Sequence, residues 1–98
     1  MNNPIYVTAR FRSKKDKTSE MKELLIKLTN DTLVNEKGCI AYSYLQDTED
    51  DTLFTSNEVW QNAEAEGLHW GMPHLQEALG QLPDLLNGEV KVKKWNRI

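Results

Sequence analysis

The chain has 98 residues, 39% hydrophobic and 28% charged, which is the ordinary make-up of one globular domain spanning residues 1–98. Twelve basic against fifteen acidic residues leave a net charge of −3, which argues against a nucleic-acid binder that tracks phosphates. No apolar run reaches the roughly 20 residues that cross a bilayer, and the opening stretch MNNPIYVTARF has no basic segment followed by an apolar one, so neither a membrane span nor a signal peptide is expected. A single cysteine, Cys39, cannot form an internal disulfide and fits a reducing, cytoplasmic setting.

From the N-terminus, Ile5 to Arg12 alternates with period two: Ile5, Val7, Ala9 and Phe11 share one face of a strand. A polar loop follows. A helix then starts near Thr18 or Ser19, either of which offers an N-cap oxygen. Met21, Leu24, Leu25 and Leu28 recur at helical spacing, with Thr32 and Leu33 extending the stripe. Gly38 is placed to stop that helix in the left-handed conformation. Cys39 to Gln46 reads as a second strand with Ile40, Tyr42 and Tyr44 on one face. The acidic turn DTEDD leads into a third, Thr52 to Trp60. Residues 62 to about 86 are helical in pattern but interrupted at Gly71 and Pro73, so two helical pieces are expected. The second carries Leu75, Ala78, Leu79, Leu82 and Leu86. After the turn at 87–89, Glu89 to Trp95 forms the last strand, and its lysines read as guards of a sheet edge.

The order β-α-β-β-α-β is the ferredoxin-like α+β arrangement. Helices on one face of a four-stranded sheet leave the other face open. The strands carry apolar groups on both faces, so a symmetric homodimer that pairs two sheets is expected.

Chemistry concentrates in LHWGMPHL, residues 68–75, which holds both histidines of the chain. His69 and His74 are five residues apart. On a continuous helix that separates them by about 140°, whereas the two-histidine metal signature needs i, i+4 on one face. Glu66 and His69 stand at i, i+3, as in carboxylate-bridged di-iron bundles, but such bundles need two copies of the motif. No metal is therefore expected. Acid/base use of an imidazole fits better, because its ordinary pKa lies near neutrality. Trp60, Trp70 and Met72 beside the histidines would make an aromatic pocket suited to a small flat ligand. Glu58 sits on the same strand face as Phe54, Ser56 and Trp60; it would either pair with Arg10 or Arg12 across the sheet or orient a histidine. Cys39 reads as an inert thiol. Phosphate loops, nucleophile elbows and cysteine clusters do not occur, so nucleotide, flavin and zinc chemistries have no motif support.

NEKGCIAYSY (35–44), EVW (58–60) and HWGMPH (69–74) together resemble the antibiotic biosynthesis monooxygenase family, in which Glu-x-Gly-Cys, Glu-x-Trp and His-x4-His segments occur in this order. The resemblance implies a dimeric α+β barrel with a pocket between sheet and helices. It also implies oxidation of a small phenol or hydroquinone by O₂ with no cofactor. By the same analogy His69 or His74 would be the base or anion stabiliser, Tyr42, Trp60 and Met72 would shape the pocket, and Glu58 would support it. Haem-degrading relatives carry an asparagine near the end of the first strand, where this chain has Ala9, which lowers a haem reading. A small-molecule isomerase on the same scaffold and a dimeric ligand-binding module without chemistry stand as alternatives.

Overall fold

The computed structural model describes residues 3–98, so the first two residues of the stretch read for a signal peptide lie outside the described residues. The order is β1 (Ile5–Arg12), a 3-10 turn (Lys15–Lys17), α1 (Thr18–Asn35), β2 (Cys39–Gln46), β3 (Leu53–Trp60), α2 (Ala63–His69), α3 (Pro73–Leu85) and β4 (Lys91–Trp95). The strands form one antiparallel sheet in the order β2-β3-β1-β4. This is the ferredoxin-like α+β fold. No helix among the described residues is long and apolar enough to cross a membrane.

Alternation in β1 buries Val7 and Phe11 and turns Arg10 and Arg12 outward. The helical stripe in α1 buries Met21, Leu24, Leu25 and Leu28 against the sheet. Each such side chain contributes about 1.5–3 kcal/mol on full burial. Two clusters fill the space between the layers. One is built on Val7, Leu24, Leu28, Tyr42, Trp60, Leu75 and Ala78, the other on Phe11, Met21, Leu25 and Phe54. The third helix packs chiefly against α1 rather than along a strand. That lean keeps the sheet and α3 apart above β1 and β4.

Several local expectations differ from what folds. Leu33 is 49% exposed and leaves the core stripe, while Thr32 stays buried. Helix α1 has no side-chain N-cap: the 3-10 turn runs straight into it, and the Thr18 hydroxyl is engaged by Ser13 Oγ at 3.0 Å. Gly38 does not end α1 in a left-handed conformation; the positive φ among the described residues belongs to Gly88, at +94°, in the turn before β4. What requires a glycine at 38 is space, because an added Cβ would lie 2.5 Å from Ala65 Cβ. Ile40 does not share a face with Tyr42 and Tyr44. The β2–β3 register shifts between Cys39 and Ala41, and the bulge leaves Ile40 59% exposed. The last strand begins at Lys91, later than expected, and is an edge strand.

The outer sheet face carries no helix. Across it Tyr6 pairs with Trp95, Thr8 with Lys93 and Arg10 with Lys91. The Trp95 indole donates to Thr8 Oγ1 at 3.0 Å, and Lys93 Nζ lies 5.2 Å above the Trp95 ring.

Candidate active site

Three chain segments meet at one carboxylate. Helix α1 ends at Asn35, and Glu36 follows with extended backbone (φ −118°, ψ 99°) while its N–H still bonds Thr32 O. The change of direction turns the Glu36 side chain inward, where the residue is only 5% exposed. Asn62 caps α2 by accepting the Ala65 N–H at 2.8 Å, and α2 delivers His69 as its last residue. The chain then passes through tight turns in which Trp70, Gly71 and Met72 donate to carbonyls three residues back. Pro73 opens α3 at a position where its missing N–H costs nothing, and His74 follows.

This break is what brings the histidines together. His69 Nδ1 and His74 Nε2 both lie 2.6 Å from Glu36 Oε2. A carboxylate oxygen only accepts, so each of these nitrogens carries a proton. In neutral His69 the lone pair is then on Nε2. That nitrogen faces Tyr42 Oη at 3.4 Å, and Tyr42 Oη lies 2.7 Å from Tyr44 Oη. The ring is held tilted on Trp60 (centroids 4.7 Å) and edge-on to Tyr42 (5.4 Å). Burial, the neighbouring Tyr44 and the Glu58 charge push the Tyr42 phenol far above its ordinary pKa; burial does the same for Tyr44 against the opposing hydrogen bond from Tyr42. Both phenols therefore act as neutral hydrogen-bond donors, not as bases.

Beside these groups lies a cavity of about 170 Å³ between the sheet and α3. Its polar lining comes from His69, Tyr42, Tyr44, Glu58 and the Trp70 indole. The rest is apolar, drawn from Val7, Phe11, Leu28, Leu79, Leu82, Val90 and Val92 among others. An apolar cavity of comparable size, about 150 Å³, admits benzene in another protein. The space fits one aromatic ring.

Glu58 meets neither arginine: Arg12 pairs with Asp50 at 2.9 Å on the surface. Nor does it bond a histidine. It accepts from Ser56 Oγ at 2.6 Å and Trp60 Nε1 at 3.0 Å, while Ser56 Oγ itself takes the Ala9 N–H at 2.7 Å. Burial pushes the Glu58 carboxyl above its ordinary range, against the two hydrogen bonds that hold it down. Glu66 stands apart from the histidine cluster; it accepts from Trp70 Nε1 and from Lys94 Nζ and so ties α2 to β4. Cys39 is half-buried, and desolvation pushes its thiol up to about 11, away from nucleophilic use.

Of the residues singled out from sequence, His69, Glu58, Tyr42 and Trp70 line the cavity. His74 lies behind His69, on the far side of Glu36. Trp60 is fully buried beneath the His69 ring, and Met72 is the N-cap of α3; neither borders the space. Sequence reasoning missed Glu36, which sat in the NEKGC turn, and Tyr44 as a wall of the cavity. Glu36, His69 and His74 are also the residues placed to hold a metal ion, with one donor atom from each within 4.8 Å of the others.

Against known proteins, the family described as antibiotic biosynthesis monooxygenase matches residues 4–81. The chain belongs to the antibiotic biosynthesis monooxygenase family. An uncharacterized protein of the cyanobacterium Synechocystis is 33% identical over 92 residues, covering 94% of this chain and 62% of that protein, so the chain spans less than two thirds of that relative. A conserved protein of Methanosarcina mazei superposes with a TM-score of 0.92 at 27% identity, covering 98% of this chain and 94% of the other. A Bacteroides thetaiotaomicron protein named a possible oxidoreductase gives 0.89 at 28%, covering 99% and 100%. The likeness to these structures thus extends past the matched segment to include β4, which supplies the Val92 wall of the cavity.

Proposed function

We propose that the protein is a cofactor-independent monooxygenase that oxidises a one-ring phenol or hydroquinone with O₂. The observation that carries this reading is the buried Glu36–His69 pair, which leaves an imidazole lone pair beside an apolar cavity of one-ring size. His69 Nε2 takes the phenolic proton, and the resulting imidazolium is paired with Glu36. The Tyr42–Tyr44 pair keeps one hydroxyl proton outside its own hydrogen bond, and this proton donates to the phenolate oxygen and favours its formation. The electron-rich anion then reduces O₂ directly. With a phenol, one oxygen atom enters the ring, the other leaves as water, and a quinone results. Dry walls hold the ring in place and keep solvent from the reactive anion. His74 supports Glu36 from behind and is not itself the base.

Metal-free protein is expected to take up O₂ with one-ring hydroquinones, to reject two- and three-ring analogues, and to lose turnover in His69→Gln. Equal turnover without oxygen would favour an isomerase instead. No turnover over a broad panel, with binding alone, would favour a ligand-binding module. The open outer face, with Trp95 and Leu45 exposed, supports a homodimer that pairs two sheets. Sedimentation as a species of twice 11.3 kDa is expected, and a monomer at micromolar concentration would contradict it.

A further inference from the structure

We propose that Glu36, His69 and His74 form a binding site for a divalent first-row transition ion, with one carboxylate and two imidazoles as ligands. Two imidazoles and one carboxylate are the donor set that such ions take when they keep open positions for water or substrate. The three donor atoms already lie within 4.8 Å of one another. Around an ion with bonds of about 2.1 Å, donors stand at roughly 3–4 Å from each other. Binding thus widens the two 2.6 Å contacts slightly and draws the imidazoles together by less than about 1 Å, within rotamer adjustment.

Two further observations point the same way. Glu36 Oε1 is buried and has no hydrogen-bond partner, which is costly for a carboxylate oxygen unless something else engages it. An ion takes imidazoles in their neutral form, and one carboxylate with two neutral imidazoles has a charge of −1 that a cation would offset. On the His74 side a small hollow is bordered by Lys27, Asp31 and Glu77; Lys27 pairs with Asp31 at 2.8 Å, so these three side chains together carry one negative charge.

The i, i+5 spacing argued against a histidine metal pair on a continuous helix, and the break expected at Gly71 and Pro73 left the direction of the two rings open. The break at 70–72 brings both rings to one carboxylate, and the third ligand comes from the end of α1. An ion on His69 Nδ1 would leave the ring proton on Nε2, facing Tyr42. Ion occupancy and the proton-accepting form of His69 therefore exclude each other, so this site does not depend on the oxidation proposed above.

The test uses Co²⁺ as the probe, added to chelator-stripped full-length protein. One ion per chain is expected, with the visible absorption of a four- or five-coordinate ion, released by Zn²⁺. Glu36→Gln and His74→Gln should each weaken binding by more than the roughly 10–100-fold that loss of an outer-shell partner costs. Thermal unfolding checks that both variants fold. Should they fail to fold, the wild-type protein still decides the matter: the chain has two histidines, so hyperfine-shifted ring signals from both are expected on Co²⁺ addition. A purely six-coordinate aqua spectrum, binding undiminished in folded variants, or histidine signals unmoved by Co²⁺ would each overturn the site.

Discussion

Glu36→Gln should lower kcat for the proposed oxidation by about 10²–10⁴-fold, the range in which a misdirected general base costs an enzyme, while KM changes little. Glu36 Oε2 accepts N–H groups from two histidines at 2.6 Å each. Because both contacts go to this one atom, glutamine presents either its carbonyl oxygen to both histidines or its N–H group to both, and either way the negative charge that pairs with the imidazolium is lost. If His69 loses its acceptor, its Nδ1 becomes the hydrogen-bond acceptor and Nε2 takes the proton. The cavity then meets a donor where it had a lone pair. The ring stays stacked on Trp60, so substrate binding persists and the loss falls on kcat. Steady-state O₂ uptake on metal-free protein, with thermal unfolding as the control for folding, checks this. A folded variant with unchanged kcat would remove Glu36 from the account.

Gly38→Ala should destabilise the protein by about 1–3 kcal/mol, the usual cost of forcing a side chain into packed space. The new Cβ would stand 2.5 Å from Ala65 Cβ and 3.7 Å from Ala65 Cα, so α2 itself has to move. Its attachment at this point is tight: Gln61 N–H bonds Gly38 O at 2.8 Å, and Asn62 caps the helix directly afterwards. Because α2 ends in His69, the displacement should reach the site and cost activity as well. The double variant Gly38→Ala, Ala65→Gly restores the space. It should recover part of the loss, offset by about 1 kcal/mol for glycine in a helix. Denaturant midpoints of the four proteins complete the cycle. Strict additivity of the two single effects would show that the Gly38–Ala65 contact is not the cause.

These two residues also mark where sequence was legible and where it was not. Period-two and helical spacing locate β1 and α1 directly, because Val7, Phe11, Met21, Leu24 and Leu28 report burial locally. The turn signals are harder, since a glycine reads the same whether it supplies a positive φ or merely lacks a Cβ. Gly38 does the second and Gly88 the first. Strand alternation misplaced Ile40, because a bulge leaves no mark on residue type. For the site, LHWGMPHL announces itself by composition, but its meaning depends on Glu36, 33 residues from His69. No local pattern links them. The only sequence trace was the Glu-x-Gly-Cys segment, where the glutamate looked like part of a turn. Glu58 was legible as a buried carboxylate that needs partners. The partners turned out to be its own strand neighbours, Ser56 and Trp60, two residues away on the same face.

The central claim is that Glu36 holds His69 with its proton on Nδ1 and its lone pair on Nε2 toward the cavity. Long-range ¹⁵N–¹H correlation spectra of the imidazole rings in metal-free protein report this directly at neutral pH. Opposite tautomers are expected for the two histidines: His69 protonated at Nδ1 and His74 protonated at Nε2. A His69 ring protonated at Nε2 in the metal-free protein would contradict it.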